Sequence, residues 1–519
     1  MSSTHSTLYQ GGKAEKIRAV LLKLHLWRAA KFVYRKLAFF FDPMWARYSD
    51  HCERKKLKRQ QQAARKGERK HSPTFVEKTE LALKTSLNQL RGFQIFDDRN
   101  RAVFCGDTAS YDKGMCRFLS DLSEVNRQYD WIVLSEAIWL NTGRTIDKYH
   151  LPSHVLPALF GKNRFEKNAE INMPKALIDI LESVPCLNVA VENLRKRHPD
   201  MPRNYPEFLI SEAYLYFKEA FTILKPEILV LWNQFHALHQ VLEIVAKEQG
   251  ISVRFMEFGS LPGTVAFDTV GQMGESYPAR EVEKFLALPV NDSDLVKARE
   301  VWDYMKESRL NRHQQADSGE LVNLVARLRK TGKPILFYAG QNDYESGLYP
   351  YTERTEQFHS PSFHSSDACA RYLGKIALKN GWNVIYKPHP LMKDVTESFP
   401  KSVTVLNSGD INDFVDLTDL TITILSQTAY VALIREKPVL LCGYMQLKGK
   451  GCTYEAFEPE KMEGEIKRML EKGVTDQMKE AQLRHIAQLI RYYLYDDNMP
   501  RRIRYGRKIT ELSVAPDKK

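Results

Sequence analysis

The chain has 519 residues, 43% hydrophobic and 11% aromatic, which describes a globular protein with room for two domains and excludes overall disorder. Its net charge of +12 belongs to one end: residues 1–74 hold eighteen Lys and Arg against five acidic residues, so residues 75–519 are close to neutral. Seven cysteines, odd in number and without CxxC spacing, argue against a disulfide framework and a zinc site and suit reduced thiols in the cytoplasm.

In chain order, the basic end comes first. Ile17, Val20, Leu21, Leu24 and Trp27 recur at spacings of three and four, as on one face of a helix, with Lys16, Lys23, Arg28, Lys31, Arg35 and Lys36 among them. Such a helix suits lying on an anionic bilayer, and its uncharged runs are too short to span one. Residues 47–70 continue as a Lys/Arg/Gln-rich helix or charged connector. Without a recognisable nucleic-acid-binding module, the expected partner of residues 13–70 is an anionic membrane surface and not nucleic acid. The first twelve residues carry no basic segment of the signal-peptide kind.

Globular sequence begins near Thr79. Residues 94–96, 102–107 and 130–135 read as short strands, while residues 140–205, rich in Pro, Asn and His, follow no pattern that assigns an order. A β-α rhythm then emerges: a helix over 208–224, a buried strand over 227–232, a helix over 235–249 closed by Gly250, and a strand over 252–257. Alternation of this kind predicts a parallel sheet, with ligands beyond the carboxyl ends of its strands. Asn233 and His236 are therefore candidate substrate contacts, and Glu257 is the candidate catalytic carboxylate. A carboxylate there could act as a general base or as a nucleophile, and Gly259 would let a ligand approach. The plainer reading is a loop cap or an Arg partner. Asp268 is the reserve carboxylate. His236 and His239 lack a third ligand at sensible spacing, so no metal is expected.

Residues 277–332 are charged and helical in pattern, as for a linker helix between domains. A second domain opens with a strand over 333–339 and a polar turn, Gly340-Gln341, expected close to a nucleotide. A helix over 366–380, ended by Gly381, leads to a strand over 383–387 that stops at Lys387-Pro388-His389-Pro390. A strand over 403–406 and a helix over 411–417 follow, then an alternating strand that runs into Ser426-Gln427-Thr428 and a short helix, then a strand from Lys437 to Gly443. The prolines hold His389 on a stiff loop. Ser426, Gln427 and Thr428 stand where a helix would begin and offer hydroxyls, amides and partial positive charge to an anion. The pair of strand ends predicts a phosphate site; taken singly they are a rigid turn and an N-cap.

These residues carry a resemblance. Lys387-Pro388-His389-Pro390, Ser426-Gln427-Thr428 and the strand from Lys437 to Gly443 resemble the C-terminal half of the bacterial capsule polysaccharide synthesis family, which includes the β-Kdo transferases. Met256-Glu257-Phe258-Gly259-Ser260-Leu261-Pro262, followed by Asp268, Gly271 and Ser276, is similar to that family's acidic segment, and the likeness spans roughly residues 205–445. It implies a GT-B glycosyltransferase using a CMP-activated acidic sugar, with the His-Pro motif and Ser/Thr turn on the nucleotide phosphate and the acidic motif facing the sugar. Phe258 stands where the compared transferases have a second acidic residue, which leaves Glu257 as the one matched carboxylate.

The reading that combines these expectations is an α/β, GT-B-like protein with two Rossmann-like domains, an interdomain cleft and a basic helical N-terminal arm. Its expected parts are the arm (1–74), an acceptor and catalytic domain (75–290), a linker helix (291–332), a nucleotide-sugar domain (333–460) and C-terminal helices (461–519). Catalysis would fall to Glu257, with Asp268 in reserve; donor phosphate to Lys387, His389, Ser426, Gln427, Thr428, Gly340 and Gln341; substrate contacts to Asn233 and His236. It would need no cofactor or metal, take a nucleotide-sugar donor and a glycan or glycolipid acceptor, and work at the inner face of the bacterial cytoplasmic membrane. A non-catalytic scaffold or export component of the same machinery, and a GT-B-type sugar-nucleotide epimerase, are the alternatives.

Overall fold

A computed structural model describes residues 75–91, 100–105, 113–135, 154–155, 171–199, 201–310, 316–392, 398–497 and 502–515. Within the chain, Lys78–Lys519 forms one compact unit. The arm expected over 1–74 and the strand expected over 94–96 lie outside the described residues.

The strands are β1 (Asn100–Cys105), β2 (Tyr129–Ser135), β3 (His154–Val155), β4 (Ile228–Trp232), β5 (Ser252–Phe258), β6 (Thr264–Asp268), β7 (Ile335–Ala339), β8 (Asn383–Lys387), β9 (Val403–Val405), β10 (Leu420–Thr423), β11 (Val439–Leu441), β12 (Tyr454–Glu455) and β13 (Leu494–Asp496). They build two sheets, ordered β13-β6-β5-β4-β1-β2-β3 and β12-β11-β10-β7-β8-β9. The second sheet is parallel throughout. The two Rossmann-like α/β lobes expected from the sequence are present, and strands such as Ile228–Trp232 and Ile335–Ala339 are buried along their whole length. That is why they read as unbroken apolar runs: helices cover both faces of a parallel sheet.

Local chemistry sets the helix ends near the second sheet. Ser365 caps the helix Ser366–Asn380 by accepting the Ala368 N–H at 3.1 Å, and Gly381, at φ 72°, ends it. Asp410 opens the helix Ile411–Leu417 by accepting the Asn412 N–H at 2.8 Å.

Two expectations are corrected, and two stretches that the sequence left open are filled in. The region without assigned order contains two helices, Lys175–Ser183 and Leu187–Arg197. The charged stretch over 291–332 is no linker: its helices Asp292–Ser308 and Gly319–Arg329 bury Val301, Trp302, Met305, Leu321 and Leu324 in the core of the second lobe, where Trp302 donates to the Ile434 carbonyl at 2.9 Å. The C-terminal segment forms the helix Pro459–Lys472, which ends at Gly473 (φ 60°), then the helix Asp476–Gln488, which starts on a Thr475 cap, and then β13. Finally, β6 runs antiparallel between β5 and β13, which the sequence pattern does not reveal.

Through β13 the chain's end returns to the first lobe. Tyr505 donates to the Pro262 carbonyl, and Asn126 pairs with the Leu512 carbonyl at 3.0 Å and the Val514 amide at 3.1 Å. Among the described residues no helix is long and apolar enough to cross a membrane.

Candidate active site

At the carboxyl edge of the second sheet, β7 lies between β8 and β10, and the turns after all three are stitched together. Gly340 donates its amide to the Lys387 carbonyl at 3.0 Å. Thr423 donates its hydroxyl to the Ala339 carbonyl at 2.9 Å and accepts the Ser426 amide at 3.0 Å. The Lys-Pro-His-Pro turn and the Ser-Gln-Thr turn are therefore two strands apart on one edge, about 10 Å at the usual strand spacing. Gly340 belongs there for steric reasons, since a Cβ would press on the Tyr386 ring at 3.0 Å and the Lys387 carbonyl at 3.3 Å.

Lys387 is 9% exposed, and its ammonium lies 5.8 Å from the Phe414 ring centroid. Burial pushes its pKa down, and no carboxylate pairs with it among the described residues. Phe414 is itself stacked on Phe337, so the wall beside the ammonium is rigid. A buried cation without a countercharge is costly, and an incoming anion would relieve that cost.

His389 accepts the Leu391 N–H on Nδ1 at 3.2 Å, which in a neutral ring puts the proton on Nε2 as a donor. Ser426 donates its hydroxyl to Thr428 Oγ1 at 3.1 Å and accepts the Thr428 amide at 3.3 Å. The helix that follows, Thr428–Ile434, has only seven residues, and Gln427 occupies its cap position. The hydroxyls thus contribute more here than the short helix's dipole. Gln341 turns inward: its Nε2 donates to Asp343 Oδ1 at 2.9 Å and Ser366 Oγ at 2.6 Å. Asp343 in turn accepts the Ser366 amide at 2.9 Å, so a carboxylate of the chain already occupies the start of the longer helix Ser366–Asn380. Burial raises the Asp343 pKa.

In the first lobe, Glu257 is half-buried at the end of β5, and its Oε1 accepts the Met273 N–H at 3.3 Å. Tyr430, on the helix Thr428–Ile434, is fully buried, and burial is the main cause that raises its phenol pKa. Gly259 has a different reason from ligand access: a Cβ would lie 2.0 Å from Thr264 Oγ1 and 2.9 Å from Leu494.

Asp268 is committed to the fold. Its oxygens accept the amides of Val270 at 2.7 Å, Gly271 at 3.4 Å and Tyr277 at 2.7 Å, and burial raises its pKa. Asn233 adopts φ 57° and uses its side-chain oxygen to accept the Phe235 amide at 3.1 Å, closing the turn after β4. His236 stands 5.0 Å from the His239 ring; burial first, then His239, Arg197 and His198, push its pKa well below the usual range.

No family model matches the chain, and no curated protein does. Among solved structures it is similar to the KpsC β-Kdo 2,7 transferase of Thermosulfurimonas dismutans, at 17% identity over 54% of this chain and 81% of that one, with a TM-score of 0.32. The KpsC β-Kdo 2,4 transferase of the same organism shares 15% identity over 50% of this chain and 79% of that one, with a TM-score of 0.35. The UDP-GlcNAc 2-epimerase of Methanocaldococcus jannaschii shares 10% identity over 74% of this chain and 98% of that one, with a TM-score of 0.32.

Sequence reading missed the contact that joins the two lobes beside this site. Arg354, on the helix Glu353–Phe358, donates from Nε and Nη2 to the two oxygens of Glu275 at 2.7 and 2.6 Å, and His359 Nε2 meets Glu275 at 3.0 Å. Arg354 and His359 lie about 80 positions from Glu275 in the chain, so no local spacing could have announced the cluster. Burial would push Glu275 up, but His359 and Arg354 outweigh it and hold its pKa at about 2, from an ordinary 4.5. A carboxylate whose pKa is depressed in the folded state stabilises it fully above its unfolded value and loses that contribution as pH falls. The Tm advantage of the native protein over Arg354→Met should therefore be constant above about pH 5 and shrink from 4.5 toward 2. Thermal unfolding of both proteins across that range checks it.

Proposed function

We propose that the chain is a glycosyltransferase of GT-B type. It moves an acidic sugar such as Kdo from a nucleotide donor, CMP-linked, to a surface-glycan or lipid-linked acceptor in capsule or related polysaccharide synthesis. The observation that carries this reading is Lys387: a buried ammonium without a described carboxylate partner, at a sheet edge where His389 and the Ser426 and Thr428 hydroxyls are also held.

In this reading Lys387 and the Nε2–H of His389 meet the donor phosphate, and Ser426 and Thr428 add hydroxyl donors. Their work is to stabilise charge as the anomeric carbon–oxygen bond breaks and the nucleotide departs with that electron pair. Glu257 takes the proton from the acceptor hydroxyl as its oxygen bonds to the anomeric carbon. Gln341, Asp343 and Ser366 stiffen the loop after β7, and Asp268 and Asn233 shape the turns around Glu257. The basic residues over 13–70 would keep the enzyme on the anionic inner face of the cytoplasmic membrane, close to a lipid-linked acceptor.

The test is nucleotide binding by thermal shift, with CMP, UDP and GDP against the native protein, Lys387→Met and His389→Ala. CMP should stabilise the native protein selectively. Losing one charged contact to phosphate should weaken that binding about 10- to 100-fold. Lys387→Met should also raise the ligand-free Tm, because methionine fills the same apolar path without burying a charge. If no nucleotide stabilises the native protein, or if Lys387→Met binds CMP unchanged, the reading fails.

A further inference from the structure

The turn from Gln272 to Ser276 is gripped from both lobes. On its own side, Gln272 Nε2 donates to the Met256 carbonyl at 2.8 Å, and the Gln272 amide donates to Gln234 Oε1 at 3.0 Å. From the other lobe, Arg354 and His359 hold Glu275, and Glu243 lies 3.6 Å from the same guanidinium. Between these grips Met273 is a left-handed residue, φ 52°, a backbone state that costs an L residue about 1–2 kcal/mol. Its N–H is the one that donates to Glu257 Oε1.

We propose that Arg354 and His359 of the nucleotide lobe are positioning residues for Glu257: by clamping Glu275 they hold the Met273 turn in its strained form and so aim the Met273 amide at the catalytic carboxylate. The inference rests on the assignment of Glu257 as the general base. Release of Glu275 lets Met273 relax toward negative φ, which rotates the peptide before it and withdraws the amide from Glu257. The base then loses one of the bonds that direct it, although neither clamp residue is bonded to it. Arg354 lies in the 340–365 connection that begins at Gly340 on the nucleotide edge, so the same loop serves both halves of the site. A transferase built this way readies its base only when the nucleotide lobe is closed against the acceptor lobe.

The experiment uses the full chain as native protein, Arg354→Met, Arg354→Lys and His359→Asn. Two readouts need no substrate: hydrogen–deuterium exchange of the peptide covering 269–277, and mass-spectrometric labelling of Glu257 by carbodiimide with glycinamide. Arg354→Met should speed exchange at 272–276 and the labelling of Glu257 each about fivefold or more, the loss expected for one well-made hydrogen bond. Arg354→Lys, which keeps the charge, should recover part of both. With CMP-Kdo as donor, Arg354→Met should lower kcat and leave KM unchanged, as for a group that acts in the transition state. Faster exchange with unchanged Glu257 labelling, or no change in either, overturns the coupling. A Glu257→Gln variant that keeps full turnover overturns the base assignment instead, and the exchange data distinguish the two failures.

Discussion

Glu257→Gln is expected to lower glycosyl transfer about 100- to 10,000-fold, the usual contribution of a positioned general base. The amide is nearly the same shape as the carboxylate, and its oxygen can still accept the Met273 N–H, so the turn should keep its form. What it cannot do is take a proton. The expected signature is thus a large fall in kcat with the ligand-free Tm and the CMP-induced thermal shift unchanged. Initial rates with a CMP-linked donor check it, and turnover within about threefold of the native protein would remove Glu257 from the chemistry. The parallel change Asp268→Asn should show the opposite profile, a lower Tm first, because Asp268 gathers three loop amides and faces away from this role.

Gly274→Ala carries the largest expected structural effect. A Cβ there would stand 1.8 Å from the Phe358 carbonyl oxygen and 2.7 Å from that of Tyr444, both in the other lobe. Neither is a side-chain end that can swing aside, and the Tyr444 amide is bonded to the His359 carbonyl at 2.7 Å. Overfilling a packed contact costs about 1–3 kcal/mol, and backbone neighbours put this one at the upper end. Parting the lobes is the relief available, and it would also stretch the Arg354–Glu275 pair. Gly464→Ala makes the contrast. That glycine lies within the helix Pro459–Lys472 with nothing within 4 Å of an added Cβ, so alanine there should gain roughly 0.5–1 kcal/mol. Calorimetry of the two variants should show Tm shifts of opposite sign. An unchanged Tm in Gly274→Ala would mean that the lobes yield freely at this contact.

The candidate phosphate edge was readable because its parts are each local. A buried strand, a stiff proline turn and a hydroxyl-rich turn are written in consecutive residues, and parallel topology puts the ends of such strands on one edge. Hence Lys387, His389, Ser426 and Thr428 were named from pattern, and the edge that holds them follows from β7 lying between β8 and β10. Thr423 escaped notice, although its hydroxyl ties two of these turns, because one threonine in a β-branched strand looks like any other.

By itself the sequence determined the strands and helices whose burial follows a simple period, the two parallel-sheet lobes, and the chemistry offered at their strand ends. Tertiary structure alone decided which carboxylates are spent on the fold: Asp268 on loop amides, Asp343 at a helix start, Glu275 on Arg354 and His359. It also decided that β13 completes the first sheet, some 230 residues after its partner β6. The physical reason is range. Periodicity and capping act within a few residues, whereas a carboxylate's role depends on which donors surround it, and those arrive from distant parts of the chain only when the lobes come together.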